Sequence, residues 1–564
     1  MPLVSKSFSD IITFSRGTNA TYFDSAGVLK YAPNNAIRNN TMVGAVAGTP
    51  GTLPTNWFTF TNITGVNISV IGTGVESGIS YIDIRLDGTP SASGVYDIGY
   101  ENTTQIVASN GQTWTGATYY KLQNGSLTGL SAVNHRITYR DVASALTVNG
   151  VDFTPTGSAL AVQRKSITGT ATNAATAYVV ATVRLSLSGA AIDITLRIGL
   201  PQLEIGNTAG PAIPTSGTAY YGPRFDYNPS TLAAQGLLIE EQRTNLCLAS
   251  EDFFQTGTGG VNWIWPAGLV TGNTQVAPDG TTTADTITTI GGAQSIYQSI
   301  TVTASTTYTF SMFVKLGTMS AANYKLAFYD NTAATFIATD VVPSQTPTTT
   351  SWTRVTYTFT TPVGCTSVRV YPFRNSATIT SSTVFIWGAQ LEVGAFPTSY
   401  IPTTTTALTR AADVASVNTL SPWYNASEGT LFADVLSCRS GNRIAMFDDG
   451  STNNRWEIRA ISNIPVLNSW SGGVQDIISL TSGVTLGDPL SPFKAAAANK
   501  TNNAAISVNA APVGTDTSCA MPLNQTRMFI GSFQGTATFL NGYLRRITYY
   551  PRRLSNAELQ AITS

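Results

Sequence analysis

One stretch of sequence occurs twice in this chain, and it limits the possible folds more than any other feature. Residues 196–215 read LRIGLPQLEIGNTAGPAIPT, and residues 384–403 read VFIWGAQLEVGAFPTSYIPT. Each copy begins with an alternating apolar run, passes through Gln-Leu-Glu-(Ile/Val)-Gly and ends at Ile-Pro-Thr. The repeat predicts two homologous modules, each closed by this stretch as its last strand and exit turn.

Matching segments upstream extend the repeat over whole domains. Arg38-Asn39-Asn40 precedes Trp57 at nearly the same spacing as Arg243-Thr244-Asn245 precedes Trp263. Thr118-Tyr119-Tyr120 precedes Leu203 at nearly the same spacing as Thr307-Tyr308-Thr309 precedes Leu391. These matched offsets predict a first module over residues 37–217 and a second over residues 244–409.

The composition favours strands in both modules. Charged residues make up 11% of the chain, against roughly 25% in an ordinary soluble protein. Thr, Ser, Asn and Gly replace them, and these are strand and turn residues rather than helix formers. Segments such as GVNISVIG and TYTFSMFVKL alternate with a period of two, so each strand has one apolar face. Two sheets must stack to cover these faces, which predicts an all-β chain with tandem jelly-roll β-sandwiches.

The segments around the first module carry a resemblance. Residues 20–27 read ATYFDSAG, residues 223–229 read PRFDYNP, and residues 236–245 read GLLIEEQRTN. These segments resemble bacteriophage virion fibre and spike proteins, in which the first usually runs directly into the second. Here the first module separates them. We therefore expect a small attachment scaffold from residues 1–36, completed by residues 218–243, with residues 37–217 inserted into it.

The modules and the last domain carry further resemblances. Both modules look like the carbohydrate-binding jelly rolls that are attached to fibres and glycosidases. Residues 410–564 end in YPRRLS followed by a short helix, which resembles laminin-G-like or concanavalin-A-like sandwiches. Ser555 and Glu558 form an S-x-x-E capping box ahead of Leu559 and Ile562, which independently predicts one short C-terminal helix.

Charge and hydropathy restrict the partners. The formal net charge is zero and the pI is about 6.6, so no overall field favours nucleic acid or an anionic membrane. The longest apolar runs fall short of a membrane span, and the N-terminal MPLVSKSFSD lacks the apolar core of a signal peptide. We expect no nucleic-acid binding, no membrane insertion, no signal peptide and assembly in the host cytoplasm.

The sequence offers no positive sign of catalysis. The single histidine, His135, has no GxSxG elbow or nearby nucleophile, so we expect it on the surface or in the packing. A glycosidase needs two carboxylates across one bond, whereas the neighbours Glu240 and Glu241 point to opposite faces of a strand. Glu204 and Glu392 occur once per module, and we expect each to pair with an arginine or to cap a turn. We therefore predict a protein that is not an enzyme, with no catalytic residues.

The sequence alone does not decide whether the chain has metal or disulfide sites. Asp448 and Asp449 in FDDGSTNN are either calcium ligands or part of a polar hairpin, so no metal ligands and no cofactor are assigned. Four cysteines are too few for a disulfide framework, and they either pair within a domain or remain buried thiols. They are Cys247, Cys365, Cys438 and Cys519.

Candidate sugar contacts come from tryptophans, because an aromatic face can pack on the apolar side of a sugar ring. In VNWIWPAG, Trp263 and Trp265 are two apart and share one face of an extended segment. The alternative for Trp57 and Trp263 is a shared core position. Trp470 in LNSWSGG lies in a loop-like context. The predicted carbohydrate-binding residues are Trp263, Trp265 and Trp470.

The phage resemblance implies a virion surface structural protein, either a head spike or fibre or a tail fibre, that attaches to host-surface glycans. Its partners would be capsid or tail proteins and those glycans. It would form homo-oligomers, by analogy trimers as in many fibres. One alternative is a capsid or tail decoration protein that binds no sugar, and a third is a polysaccharide depolymerase.

Overall fold

The computed structural model describes residues 7–254, 263–289, 291–375, 381–487 and 489–564, and nearly all regular structure in them is β. This confirms the predicted all-β, multidomain class. The chain divides into two compact units: Pro33–Tyr221 forms one, and the residues up to Ala32 join Gly222–Ser564 to form the other. Among the described residues, no helix is long and apolar enough to cross a membrane.

The N-terminal segment begins with a one-turn helix, which was not expected from the sequence, and continues into a hairpin. The hairpin turn is held by Asp24, whose Oδ1 accepts hydrogen bonds from the backbone N–H groups of Ala26 and Val28 at 2.9 Å each. The elements are α1 Phe8–Ile11, β1 Thr13–Ser15, β2 Thr21–Phe23 and β3 Leu29–Tyr31.

The Pro33–Tyr221 unit contains the first module as a sandwich of two five-stranded antiparallel sheets and a short strand pair. The elements are β4 Asn34–Asn35, β5 Phe58–Thr61, β6 Val66–Glu76, β7 Ile79–Gly88, β8 Gly94–Gly99, β9 Thr113–Gly125, β10 Leu130–Arg140, β11 Ala145–Asp152, the 3₁₀ turn Leu160–Val162, β12 Arg164–Thr170, β13 Tyr178–Leu187, β14 Ile192–Ile205 and β15 Tyr220–Tyr221. The sheet orders are β11-β10-β13-β8-β5 and β12-β9-β14-β7-β6, and β15 pairs with β4.

The second module repeats this arrangement in the other unit. The elements, with the three short strands that precede the module, are β16 Arg224–Tyr227, β17 Ala234–Ile239, β18 Arg243–Asn245, β19 Val270–Gln275, β20 Ala284–Thr288, β21 Gln294–Thr301, β22 Thr307–Leu316, the 3₁₀ turn Ala321–Asn323, β23 Leu326–Asp330, β24 Thr335–Val341, β25 Thr353–Thr360, β26 Ser367–Asn375, β27 Thr383–Val393 and β28 Leu408–Arg410. The sheet β19-β20-β27-β22-β25 corresponds to β6-β7-β14-β9-β12, and the sheet β21-β26-β23-β24 corresponds to β8-β13-β10-β11.

The last domain is a sandwich of two seven-stranded sheets. The elements are β29 Val414–Val417, β30 Glu428–Ser437, β31 Arg443–Asp448, β32 Arg455–Ile461, β33 Ile464–Ser471, β34 Val474–Leu480, β35 Phe493–Lys500, β36 Ala504–Val508, β37 Gly514–Asp516, β38 Arg527–Ile530, β39 Gly542–Tyr550 and α2 Asn556–Thr563. The sheet orders are β1-β29-β38-β31-β32-β33-β34 and β16-β17-β39-β30-β35-β36-β37. At the C-terminus, Ser555 Oγ accepts from the Glu558 N–H and the Glu558 side chain accepts from the Ser555 N–H, which confirms the predicted helix cap.

The segments expected to form an attachment scaffold, residues 1–36 with 218–243, supply three strands to the edges of this last sandwich: β1, β16 and β17. Strand β1 extends one sheet through β29, and β16 and β17 extend the other through β39. An open sheet edge presents unpaired backbone groups, which added strands satisfy. Leu237 and Ile239 of β17 also enter the sandwich core. PRFDYNP and the first residues of GLLIEEQRTN therefore belong to the C-terminal sandwich, whereas ATYFDSAG forms β2 and the turn of the separate β2–β3 hairpin.

A buried ion network joins these edge strands to the exit of the second module. Asp413 accepts a hydrogen bond from Arg16 Nη1 at 2.8 Å and also pairs with Arg224. Arg224 Nη1 lies 2.8 Å from Glu240, which pairs in turn with Arg410. Burial alone would raise the pKa of Glu240, but Arg410 and Arg224 lower it to about 2. Glu240 and Asp413 are therefore ionised, and the arginines beside them compensate their buried negative charges.

The repeated stretch is a structural clamp in each module. In the second module, the buried Asn245 side chain donates to the carbonyl groups of Ala389 and Ile401 at 3.0 and 2.8 Å. Its Oδ1 accepts from the N–H groups of Cys247 and Leu391 at 3.0 and 3.1 Å. One side chain thus ties the start of the module to its last strand and its exit turn.

The first module has the same clamp. Asn35 donates to the carbonyl groups of Pro201 and Ile213, and it accepts from the N–H groups of Ile37 and Leu203. Asn35 is therefore the counterpart of Asn245. Pairing Arg38-Asn39-Asn40 with Arg243-Thr244-Asn245, as the sequence suggested, is wrong by five positions.

The two glutamates of the repeat hold the exit turns. Glu204 Oε1 accepts from the Gly210 N–H at 2.7 Å, and Glu392 Oε1 accepts from the Thr398 N–H at 2.8 Å. Of the two expected roles, pairing with an arginine or capping a turn, both glutamates cap a turn, and Glu392 Oε2 also lies 3.6 Å from Arg243 Nε. Their backbone bonds explain why both copies need an acceptor at this position.

Candidate functional site

The structure places Trp263 in the core of the second module. Its ring is fully buried, packs 4.7 Å from Phe253 and donates its Nε1–H to the carbonyl of Ala249 at 3.0 Å. In the first module, Trp57 donates in the same way to the carbonyl of Asn39 at 2.8 Å. Trp263 is therefore corrected from a sugar contact to a core residue, because a buried ring cannot stack on a ligand.

Trp265 is half-buried at the edge of the same core. Its ring stacks on Phe254 with centroids 5.7 Å apart, and its Nε1–H donates to the carbonyl of Phe253 at 3.0 Å. The pair leaves part of its aromatic surface in contact with solvent. Trp265 stays a predicted contact.

Trp470 lies on β33 of the last domain rather than in a loop. It is half-buried, and the Arg455 guanidinium lies 3.5 Å from its ring centre. That cation already covers one face of the ring. Trp470 stays a predicted contact, but the ring face that Arg455 covers is not available to a sugar.

A larger aromatic surface lies on the outer face of the sheet β21-β26-β23-β24. Alternate residues of these strands fill the core, so their neighbours point outward. The outward residues form a group that we call the aromatic face: Tyr297, Tyr329, Phe336, Tyr371 and Arg369.

The rings of the aromatic face form a continuous chain. Tyr297 and Tyr371 have centroids 5.2 Å apart, Tyr371 and Phe336 are 6.2 Å apart, and Phe336 and Tyr329 are 4.9 Å apart. Phe336 is 37% exposed, whereas Tyr371 is 6% exposed and forms the floor. The four strands give a platform of about 14–19 Å across, the size of several sugar rings.

Arg369 lies in the middle of this platform. It is opposite Ser299 on one side and Tyr329 on the other in the strand register. Its guanidinium carbon is 4.8 Å from the ring centre of Tyr297 and 5.5 Å from that of Tyr329. A hydrogen bond with the side chain of Tyr371 is the main cause that raises the pKa of Arg369. The side chain is thus held as a cation among aromatic rings.

A polar rim borders the face on β24 and β26. Arg374 Nη1 donates to Thr339 Oγ1 at 2.9 Å, and its guanidinium lies 4.5 Å from the ring centre of Phe336. Asp340 is 3.8 Å from Arg374. Aromatic rings surrounded by polar groups can pack on the apolar side of a sugar and bond to its hydroxyls.

The aromatic face was not predicted from the sequence. A signal was present, since the segments SIYQSITV, LAFYD and SVRVYPFRN each place a tyrosine at an outward position of an alternating strand. The sequence analysis instead predicts tryptophan contacts, because an aromatic face can pack on the apolar side of a sugar ring. Register across three separate strands was needed to show that the tyrosines meet.

The corresponding face of the first module has different chemistry. Arg184 forms a bidentate ion pair with Asp97 at 2.7 Å for both bonds, where the second module has Arg369 facing Ser299. Its exposed ring is Phe60 on the edge strand β5, opposite Asp97. This face is centred on a charge pair, with Arg136 beside it, rather than on an aromatic platform.

His135, the histidine considered for catalysis, is fully buried in the first module. The Tyr120 hydroxyl lies 2.8 Å from its Nδ1 and 2.6 Å from the Tyr100 hydroxyl. Burial lowers the pKa of His135 to about 4, so the ring is neutral at physiological pH. Of the two predicted settings, surface or packing, the structure shows packing.

The acidic candidates are in structural roles. Asp448 is buried with Arg527 at 2.6 Å, and Asp449 accepts from the Ser451 N–H and from Asn454 in the β31–β32 turn, as a polar hairpin requires. No group of three or more His, Cys, Asp or Glu residues that could hold a metal ion occurs within the described ranges. All four cysteines are buried free thiols.

Comparison with known proteins gives one family match. Residues 250–378, within the second module, match the family model CBM_4_9, described as a carbohydrate binding domain. This supports a carbohydrate-binding β-sandwich in this part of the chain. No curated protein matches the chain in a sequence comparison.

Several solved structures are similar at low identity. The N-terminal CBM22-1-CBM22-2 tandem domain of Paenibacillus barcinonensis Xyn10C is 12% identical, over 64% of this chain and 99% of its own, with a TM-score of 0.21. A structure named "CBM4 structure and function" is 18% identical, over 30% and 99%, with a TM-score of 0.20. The enzymatically active domain of tailspike protein 4 from bacteriophage CBA120 is 16% identical, over 27% and 20%, with a TM-score of 0.20. TM-scores this low carry no argument about function.

Proposed function

We propose that this chain is a non-enzymatic structural protein of a bacteriophage virion surface, a head spike or fibre or a tail fibre, that attaches to host-surface glycans through its second module. The aromatic face carries the glycan-binding part of the proposal. It lies on the module matched by the carbohydrate-binding family model, and it presents exposed and half-exposed rings with polar groups around them.

The virion part of the proposal is supported by the phage-like segments. ATYFDSAG and PRFDYNP supply β2 and β16, which pack beside one another and beside the exit of the second module. Such a junction would present the binding module from a fixed attachment domain. Several weak sites on one particle, each near millimolar affinity, would gain avidity of about 10²- to 10⁴-fold.

The non-enzymatic part is supported by three buried acidic residues that form ion pairs with arginines. Glu240 and Asp413 are occupied by arginines inside the protein, and Glu457 on the outer face of β32 is 2.7 Å from Arg443. A glycosidase acid needs a raised pKa and a free position opposite a second carboxylate. These three carboxylates are committed to ion pairs instead.

The glycan-binding proposal is tested with the full chain on an array of bacterial surface polysaccharides. Phe336→Ala removes an exposed ring of the aromatic face and should weaken binding roughly five- to tenfold, about 1–1.4 kcal/mol. Phe60→Ala is the matched control, because Phe60 is an exposed ring, 53% accessible, on the first module. Equal binding by both variants and the unmodified chain would reject this face as the site.

The virion proposal has its own test. Antibody against the purified chain should label intact phage particles in electron micrographs, on the head or on the tail. Particles that carry no such label, while the protein appears only in infected-cell lysate, would contradict it.

A further inference from the structure

The charge of the aromatic face points to a particular class of glycan, an inference that rests on the function proposed above. A platform for neutral polysaccharides needs rings and hydroxyl-bonding groups but no uncompensated charge at its centre. Arg369 places a cation there. Its neighbours across the strands are Ser299 and Tyr329, neither of which is acidic.

Within the described residues, Arg369 has no carboxylate within ion-pair distance, unlike Arg184 at the corresponding place in the first module. Of the residues outside the described ranges, those in the second module (255–262, 290 and 376–380) contain no Asp or Glu in their sequence; the one acidic residue, Asp488, belongs to the last domain. Asp340, a carboxylate at the rim, faces Arg374 instead. The centre of the face therefore carries a net positive charge.

The setting of Arg369 suits recognition of an anion. Rings of Tyr297 and Tyr329 on either side restrict the guanidinium, and its Nε is buried without a hydrogen-bond partner. Ordering an arginine in this way reduces the entropy cost of binding, and its planar donors match a carboxylate. Tyrosine rings beside it can pack on the sugar that bears the carboxylate.

We propose that the second module selects acidic polysaccharides, with Arg369 binding the carboxylate of a uronic-acid-type sugar whose ring packs on Tyr297 or Tyr329. The formal net charge of the whole chain is zero, so general attraction of polyanions would contribute little. Selectivity would come from this one arginine and the rings around it.

The test compares polygalacturonic acid with its carboxyl-reduced form, which has the same backbone without the charge. The full chain should bind the acidic polymer at least about tenfold more tightly. Arg369→Gln should remove that difference by weakening only the acidic polymer, and Arg369→Lys should restore part of it. The control, Arg545→Gln, removes an exposed positive charge from β39 and should leave both affinities unchanged.

The other outcomes are equally informative. Equal binding of the acidic and reduced polymers, or an equal loss for both with Arg369→Gln, would overturn the selectivity while leaving glycan binding intact. Binding to dextran sulfate but not to the carboxylated polymer would overturn the assignment of a carboxylate. Failure to bind any polysaccharide on the array would overturn the proposed function itself, which separates the two failures.

Discussion

Replacing Asn245 with alanine should destabilise the second module strongly, although the change removes few atoms. The side chain is fully buried and makes four hydrogen bonds to backbone groups of three segments. A hydrogen bond contributes about 1 kcal/mol net, so the loss of four predicts about 4 kcal/mol. Two buried carbonyl and two buried N–H groups would be left without these partners.

The assay is urea unfolding followed by tryptophan fluorescence, with calorimetry to separate the transitions. For a cooperative unit of roughly 150–250 residues, a loss of about 4 kcal/mol lowers the melting temperature by roughly 8–16 °C. Asn35→Ala should destabilise the Pro33–Tyr221 unit by somewhat less, because Asn40 also donates to the carbonyl groups that Asn35 bonds. Asn245→Asp keeps the size and the accepting oxygen but loses the Nδ2–H donors, so we expect about half the effect or more.

Asn323→Ala serves as the control, because its side chain is exposed in the 3₁₀ turn Ala321–Asn323. It should change stability by less than about 0.5 kcal/mol. A loss for Asn245→Ala no greater than for Asn323→Ala would refute the clamp. It would show that the repeated stretch closes the module through its strand pairing alone.

Two further predictions concern buried charge. His135 has a folded pKa of about 4 and an unfolded value near 6.5, so its contribution to stability is complete above pH 6.5 and is lost as the pH falls towards 4. The stability advantage of the unmodified chain over His135→Gln should shrink by about 3 kcal/mol over this range, and no change would contradict burial of the neutral ring. Asp413→Asn should cost about 3–5 kcal/mol in chemical unfolding because it leaves Arg16 and Arg224 buried without their shared partner. The exposed control Asp193→Asn should leave the unfolding midpoint nearly unchanged, and equally small effects of both variants would mean that the network is solvated.

The sequence determined the features that arise from local and periodic order. Period-two alternation and few helix formers specify an all-β sandwich, and the spacing of the repeated stretch by itself indicates two modules. Ser555 and Glu558 define the C-terminal helix because a capping box acts within a single turn. Turn capping by Glu204 and Glu392 was one of the two roles expected from the sequence, since the turn lies close to each residue along the chain.

Tertiary structure decided the features that depend on distant strands. Alternation shows which residues share a face but not which face meets solvent, so Trp263 in the core and Tyr297 on the surface look alike in the sequence. Alternation also cannot show that β16 and β17 complete the last sandwich, because β17 pairs with β39, which lies about 300 residues further along the chain. Arg369 is informative only once its cross-strand neighbours are known. The prediction of two modules follows from local order, whereas the candidate binding surface exists only where separate strands come together.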